Sequence, residues 1–285
     1  MLNLFRRKKP PRIALALGSG GARGLAHIPV LEVFDELGIV PSAIAGCSMG
    51  AVVGAGYAAG MSGKDIRKFA IEALRQQGDF ARRLISMQWS SMRERWREKR
   101  SLSDFSMQVE AGGIAQEFLP PELPKTFEEL RIPLTVVATD YRERSEVLYR
   151  SGLLRPAVAG SMAIPGLLRP VEFDGRLLID GGAVNPLPFD LLRANADIVV
   201  AVDITRLREA PPGIPDPMQT LFGASDIMTH AIVSEKLKHS APDILLKPNV
   251  SAFSALDFPR ALPILKASEP IKEELKQKLG ILLGA

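Results

Sequence analysis

At 285 residues, with 46% hydrophobic and 24% charged side chains, the chain has ordinary globular composition and can bury a sizeable core, as one large α/β domain or two small ones. Cys47 is the only cysteine, which excludes an intrachain disulfide and fits a reducing compartment. The net charge of +4 hides two basic stretches, Arg6 to Arg12 and residues 82–100, the second with seven basic residues against Glu94 and Glu98. Such stretches suit an anionic lipid surface or nucleic acid, or are only a solvated tail and helix face.

Residues 1–11 read as a disordered basic tail closed by Pro10 and Pro11, with no secretory signal. Arg12 to Leu17 is a short apolar run bounded by glycine, as a buried parallel strand requires. A glycine loop, Gly18 to Gly24, leads into a helix over 23–37, whose apolar positions recur at helical spacing and which Gly38 stops. A second strand (42–46), the turn Gly46-Cys47-Ser48-Met49-Gly50 and a small-residue helix (49–59) come next. The uncharged window from Gly38 to Gly63 is long enough to span a bilayer. Its Pro41, its many Gly and Ala residues and the central turn are better explained by a buried strand and helix.

Ser62 caps a third helix. Residues 79–110 mix Trp89, Trp96 and three methionines with many arginines, the pattern of an amphipathic helix or a cap over an active site, and 112–119 read as a short helix. Strands come at 133–139 and 146–150, then a helix at 153–161. Residues 171–173 and 176–179 form a hairpin through Asp174-Gly175. Beyond it come a helix (187–195), a buried strand (197–204) and a proline-rich loop (209–217). The strand 243–246 lies between amphipathic helices at 218–240 and 260–282. Alternating strands and helices predict a three-layer α/β/α fold around a mostly parallel sheet, with 12–285 as a single domain.

The turn at Ser48 matches G-x-S-x-G, which puts a serine on a sharp strand-to-helix corner with the helix N-terminus facing the reacting atom. The bland alternative is an inert serine in a tight glycine turn. In the glycine loop, successive small residues leave the amides of Gly20, Gly21 and Ala22 free to hold an anion, with the charge of Arg23 nearby. Dinucleotide binding fits less well. Arg23 stands where G-x-G-x-x-G needs glycine, the second strand ends without an acidic ribose ligand, and no G-K-[ST] is present for a phosphate loop. A base must activate the serine. His27, His230 and His239 all lie in helices, whereas Asp180 ends a strand and precedes Gly181 and Gly182. Asp180 is therefore the better candidate, with a structural Asx-turn as its alternative.

These residues resemble the patatin-like phospholipases of bacteria. The family's G-x-G-G-x-[RK]-G motif corresponds to Gly18, Gly20, Gly21, Arg23 and Gly24, its elbow to Gly46, Ser48 and Gly50, and its D-G-[GA] motif to Asp180, Gly181 and Gly182. A further [AG]-S-x-x-x-P element runs from Gly160 to Pro165. Order and spacing agree across about residues 12–205, while 79–110 and 206–285 are poorly covered. The resemblance implies a patatin-like fold, a Ser48–Asp180 dyad and hydrolysis of fatty-acyl esters of lipids, with no metal or cofactor. The lone cysteine and the basic patches lead to the expectation of a cytoplasmic protein that touches an anionic membrane through residues 6–12 and 82–100, with no nucleic acid as partner. The alternatives are acyl transfer, thioester cleavage, or a binding protein that keeps the fold with little turnover.

Overall fold

Among the described residues eight strands form one mixed sheet, and five parallel ones run side by side from its middle to one edge. In the computed structural model, which describes residues 10–76, 119–205 and 213–284, the strands are β1 (Ile13–Leu17), β2 (Ile44–Cys47), β3 (Leu134–Asp140), β4 (Ser145–Tyr149), β5 (Val171–Phe173), β6 (Arg176–Asp180), β7 (Ile198–Val202) and β8 (Ile244–Leu246). β3, β2, β1, β7 and β8 lie side by side and parallel. Their near-continuous Val, Ile, Leu and Ala runs reflect burial on both faces; every residue of β1, β3 and β7 is buried. Antiparallel β4, β5 and β6 close one side and expose part of their length.

Successive side chains point to opposite faces, so alternation in β1 sorts its residues between two cores. Leu15 and Leu17, with Ile44, Val136 and Val200, pack under α1 (His27–Glu36), α2 (Met49–Ala58), α6 (Ala261–Ser268) and α7 (Ile271–Leu283). Ala14, Ala16, Ala45 and Ala201 face the other way, beneath the 3₁₀ segment Phe189–Asn195 and Val233 of α5 (Pro217–His239). Those alanines let the second layer lie close. Two helices complete the set: α3 (Gly63–Gln76) and α4 (Leu154–Ser161).

Local chemistry sets the helix ends. Ser62 Oγ accepts from the Asp65 amide at 3.1 Å while Asp65 accepts from the Ser62 amide at 3.1 Å, a reciprocal cap on α3. Gly38, at φ 64°, ends α1 by letting its own N–H and that of Ile39 reach back to Asp35 and Phe34. Glu32 of α1 is buried beneath α3 and α7. Burial pushes its carboxyl up, but Arg67 (2.5 Å) and Lys272 (2.5 Å) outweigh that and hold it below its ordinary value.

Three expected helices differ in detail. The one expected over 23–37 opens as a 3₁₀ turn, Gly21–Ala26, because the glycine-rich start adopts i to i−3 bonding, with Arg23 N–H on Gly20 O. The segment expected at 187–195 is 3₁₀ over Phe189–Asn195, short and squeezed against the alanine face. The helix expected over 260–282 breaks into α6 and α7 at Pro270, which has no N–H to continue the ladder. The expectations for residues 1–9, 79–110, 112–118 and the first part of the proline-rich loop lie outside the described residues.

β3 is the strand on which two distant parts of the chain converge. β4 runs along one edge, pairing with Val136 to Asp140. The opposite edge is shared: β2 pairs with residues 134–137, and β6 with 138–140. β2 is parallel to β3 and β6 antiparallel, so their C-terminal ends meet head-on. Cys47 sits opposite Val137 and Asp180 opposite Ala138.

Candidate active site

Ser48 is the one residue between β2 and α2, and it takes φ 54° and ψ −123°. A non-glycine residue there stores roughly 1–3 kcal/mol of strain that its surroundings must enforce. Two neighbours make that corner possible by lacking side chains. A Cβ on Gly46 would lie 2.6 Å from the Gly50 carbonyl oxygen, and one on Gly50 would lie 2.1 Å from that of Leu17. The Ser48 amide donates to Ser161 Oγ (2.9 Å), and Ser161 Oγ donates to the Val137 carbonyl (2.5 Å), which ties the corner to β3.

The head-on meeting of β2 and β6 then brings Ser48 to Asp180. Ser48 Oγ donates to Asp180 Oδ2 at 2.6 Å. The other carboxylate oxygen, Oδ1, accepts from the Gly182 amide at 2.7 Å and caps the 3₁₀ turn Gly181–Ala183. The Asx-turn expected as an alternative is thus present, but it uses only one oxygen. Thr139 Oγ1 and the Ala163 carbonyl hold the Asp180 backbone. Burial pushes the Asp180 carboxyl up to about 6, against the Ser48 hydroxyl and the Gly182 amide, which both favour its charged form. Neighbouring Cys47 is fully buried, and burial, reinforced by the Asp180 charge, pushes its thiol well above its ordinary value. Cys47 is therefore a neutral core thiol.

The glycine loop extends from β1 on the same side of the sheet. His27 is fully buried and donates from Nε2 to the Gly18 carbonyl (2.9 Å); burial, only partly opposed by that bond, lowers its value to about 4, so the ring is neutral. The Ser19 amide bonds the Pro186 carbonyl (2.7 Å). Among the described residues the Gly20 and Gly21 amides have no acceptor. Ala22 corrects the sequence reading: its amide donates to the Ala255 carbonyl at 2.8 Å and is already occupied. Arg23 is also placed differently. Its guanidinium is 2% exposed, pairs with Asp226 of α5 (2.5 Å) and donates from Nε to the Gly20 carbonyl (3.2 Å).

None of the three histidines hydrogen-bonds Ser48 or Asp180. His230 meets Ser234 (3.3 Å), and His239 meets Glu235 (3.3 Å) on exposed α5 surface. Among the described residues no group of three or more His, Cys, Asp and Glu is placed to hold a metal ion. A narrow apolar pocket of about 40 Å³, partly open to solvent, runs along α2 from Met49, the residue after the serine. Met49, Val52, Val53 and Gly56 line it from one face of α2, opposite Leu25, Ile28, Ile66 and Phe69.

The site thus pairs a serine in an elbow with a buried aspartate, where the C-terminal ends of β2 and β6 meet. The model of the patatin-like phospholipase family matches residues 15–193, and the chain belongs to that family. It is 37% identical over 222 residues to an uncharacterized NTE family protein of Mycobacterium tuberculosis, covering 75% of this chain and 55% of the relative. A lysophospholipase NTE1 of Cryptococcus neoformans is 33% identical over 216 residues, 73% of this chain and 12% of that protein. The chain thus spans about half, or far less, of the length of these curated relatives. Among solved structures, VipD from Legionella pneumophila matches 94% of this chain and 67% of its own at 15% identity, with a TM-score of 0.48. Human GIVD cytosolic phospholipase A2 covers 99% of this chain and 60% of its own at 12% identity, with a TM-score of 0.39.

Proposed function

We propose that the protein is a serine acyl-ester hydrolase acting on fatty-acyl esters of lipids, with residues 12–285 working as one domain. The observation that carries this reading is the 2.6 Å bond from Ser48 Oγ to a buried Asp180 carboxylate whose affinity for a proton is raised by burial. Asp180 takes the hydroxyl proton as Ser48 Oγ attacks the ester carbonyl carbon. The carbonyl π pair moves to oxygen, and the oxyanion is held by the Gly20 and Gly21 amides with the Met49 amide at the α2 N-terminus. The ester C–O bond breaks, the leaving alkoxide takes the proton from Asp180, and the acyl group stays on Ser48. Water then attacks, gives its proton to Asp180, and the fatty acid leaves as Ser48 is reprotonated. The acyl chain is assigned to the apolar pocket along α2.

Family membership supports lipid acyl esters as the substrate class, and the basic residues 6–12 and 82–100 are assigned to contact with an anionic membrane from the cytoplasmic side. Ser48→Ala and Asp180→Asn are each expected to abolish hydrolysis of nitrophenyl acyl esters while circular dichroism stays native. Full activity in Asp180→Asn would remove the dyad. A wild-type protein that resists a fluorophosphonate probe would mark a binding protein without turnover.

A further inference from the structure

We infer that Asp226 is a positioning residue for the oxyanion site, acting through Arg23 on the Gly20–Gly21 peptide; the inference rests on the proposed hydrolase activity and deepens it. The Gly20 carbonyl and the Gly21 N–H belong to the same planar trans unit and point in opposite directions. Whatever fixes the carbonyl also aims the N–H. Among the described residues two donors fix it, both from Arg23: the side-chain Nε at 3.2 Å and the backbone N–H at 3.3 Å. The guanidinium that supplies the first is 2% exposed, and Asp226 of α5 meets its Nη2 at 2.5 Å.

A guanidinium this deeply buried needs its counter-charge in place. Without the Asp226 carboxylate it would move toward another acceptor, and the Gly20 carbonyl would lose its side-chain donor. The Gly20–Gly21 unit would then turn, because glycine offers no side chain to resist it. The next peptide is fixed independently by the Ala22 N–H on the Ala255 carbonyl. Release at Asp226 would therefore misaim the Gly21 donor in particular and leave the rest of the loop in place. Asp226 lies 203 residues from Arg23 and outside the 15–193 stretch that matches the family model.

The test uses the full chain with a nitrophenyl ester. Asp226→Asn is expected to lower kcat about 10- to 100-fold with KM within about twofold, a part of the ~10²–10³ that loss of a whole oxyanion donor costs. Asp226→Glu should recover most of that kcat, and Arg23→Gln added to Asp226→Asn should cost little more, since both act through one contact. Wild-type kcat in Asp226→Asn overturns the proposal. So does a loss matched by the fraction of chains no longer labelled by a fluorophosphonate, or a loss that Asp226→Glu does not relieve. If Asp226→Asn does not fold, Asp226→Ser is judged by the same measurements. Absence of Ser48-dependent turnover in the wild type would sink the hydrolase reading and this proposal together, whereas normal wild-type turnover with an unaffected Asp226→Asn sinks only the latter.

Discussion

Asp180 is where chemistry and stability oppose each other. Its ordinary value is 3.8, and in the fold it rises to about 6. The folded chain therefore holds this proton more tightly than the unfolded chain. The resulting stability is fully present below pH 3.8 and is lost as pH rises through about 6. At about pH 8 the ionised, buried side chain costs the fold about 3 kcal/mol relative to its protonated form. Asp180→Asn keeps the shape and the bond to the Gly182 amide without the charge. Differential scanning calorimetry should show this variant melting above the wild type at about pH 8, with the gap closing toward about pH 4. The wild-type rate should rise with pH through about 6, as the base ionises. Ser48 and Asp180 were legible in the sequence because each leaves a local mark, a glycine-flanked corner and a strand end before two glycines. Ser161 stood in a recognisable element, yet its bond to the Ser48 amide joins residues 113 apart and no spacing reports it. The same holds for the Ala255 carbonyl, which takes an amide expected to be free.

Among the elements, α2 does two jobs. Its N-terminus faces the reacting serine, and its residues at positions 49, 52, 53 and 56 line the apolar pocket. Gly56 is the simplest place to test the second job. A Cβ there meets only ordinary contacts, with Met61 Sδ at 3.5 Å and the Ile66 side chain at 3.6 Å. Gly56→Leu should fold, because leucine is also the better helix former. It should cut hydrolysis of long-chain esters at least about 10-fold while sparing acetyl and butyryl esters, on the view that the pocket holds the chain and the dyad is untouched. Equal losses on both would place the acyl chain elsewhere. Period and capping made most elements readable, including the α3 cap at Ser62 and the α1 stop at Gly38. What escaped was the choice between α and 3₁₀ bonding at 189–195, which the alanine face decides, and the break at Pro270 in an otherwise continuous apolar pattern.

For the whole molecule, strands could be found in the sequence but their neighbours could not. Nothing local says that β2 and β6 share an edge of β3. The last third of the chain also matters more than its motifs indicate, since Ile204, Asp226 and Ala255 all touch the glycine loop. No helix among the described residues is long and apolar enough to cross a membrane. Removing residues 1–11 should weaken sedimentation with anionic vesicles but not with zwitterionic ones, with the difference fading as salt rises past about 0.15 M. Unaltered binding to anionic vesicles would free the tail of that role.

Ser48 and Asp180 are 132 residues apart in the chain, but the edge of β3 that their strands share sets their spacing by one backbone step, between Val137 and Ala138. The chain between α2 and β3 could be lengthened, shortened or replaced without moving either group, provided the strands keep their register and α2 keeps the corner at Ser48. Selection can therefore rewrite what enters the site while the Ser48–Asp180 pair is inherited intact.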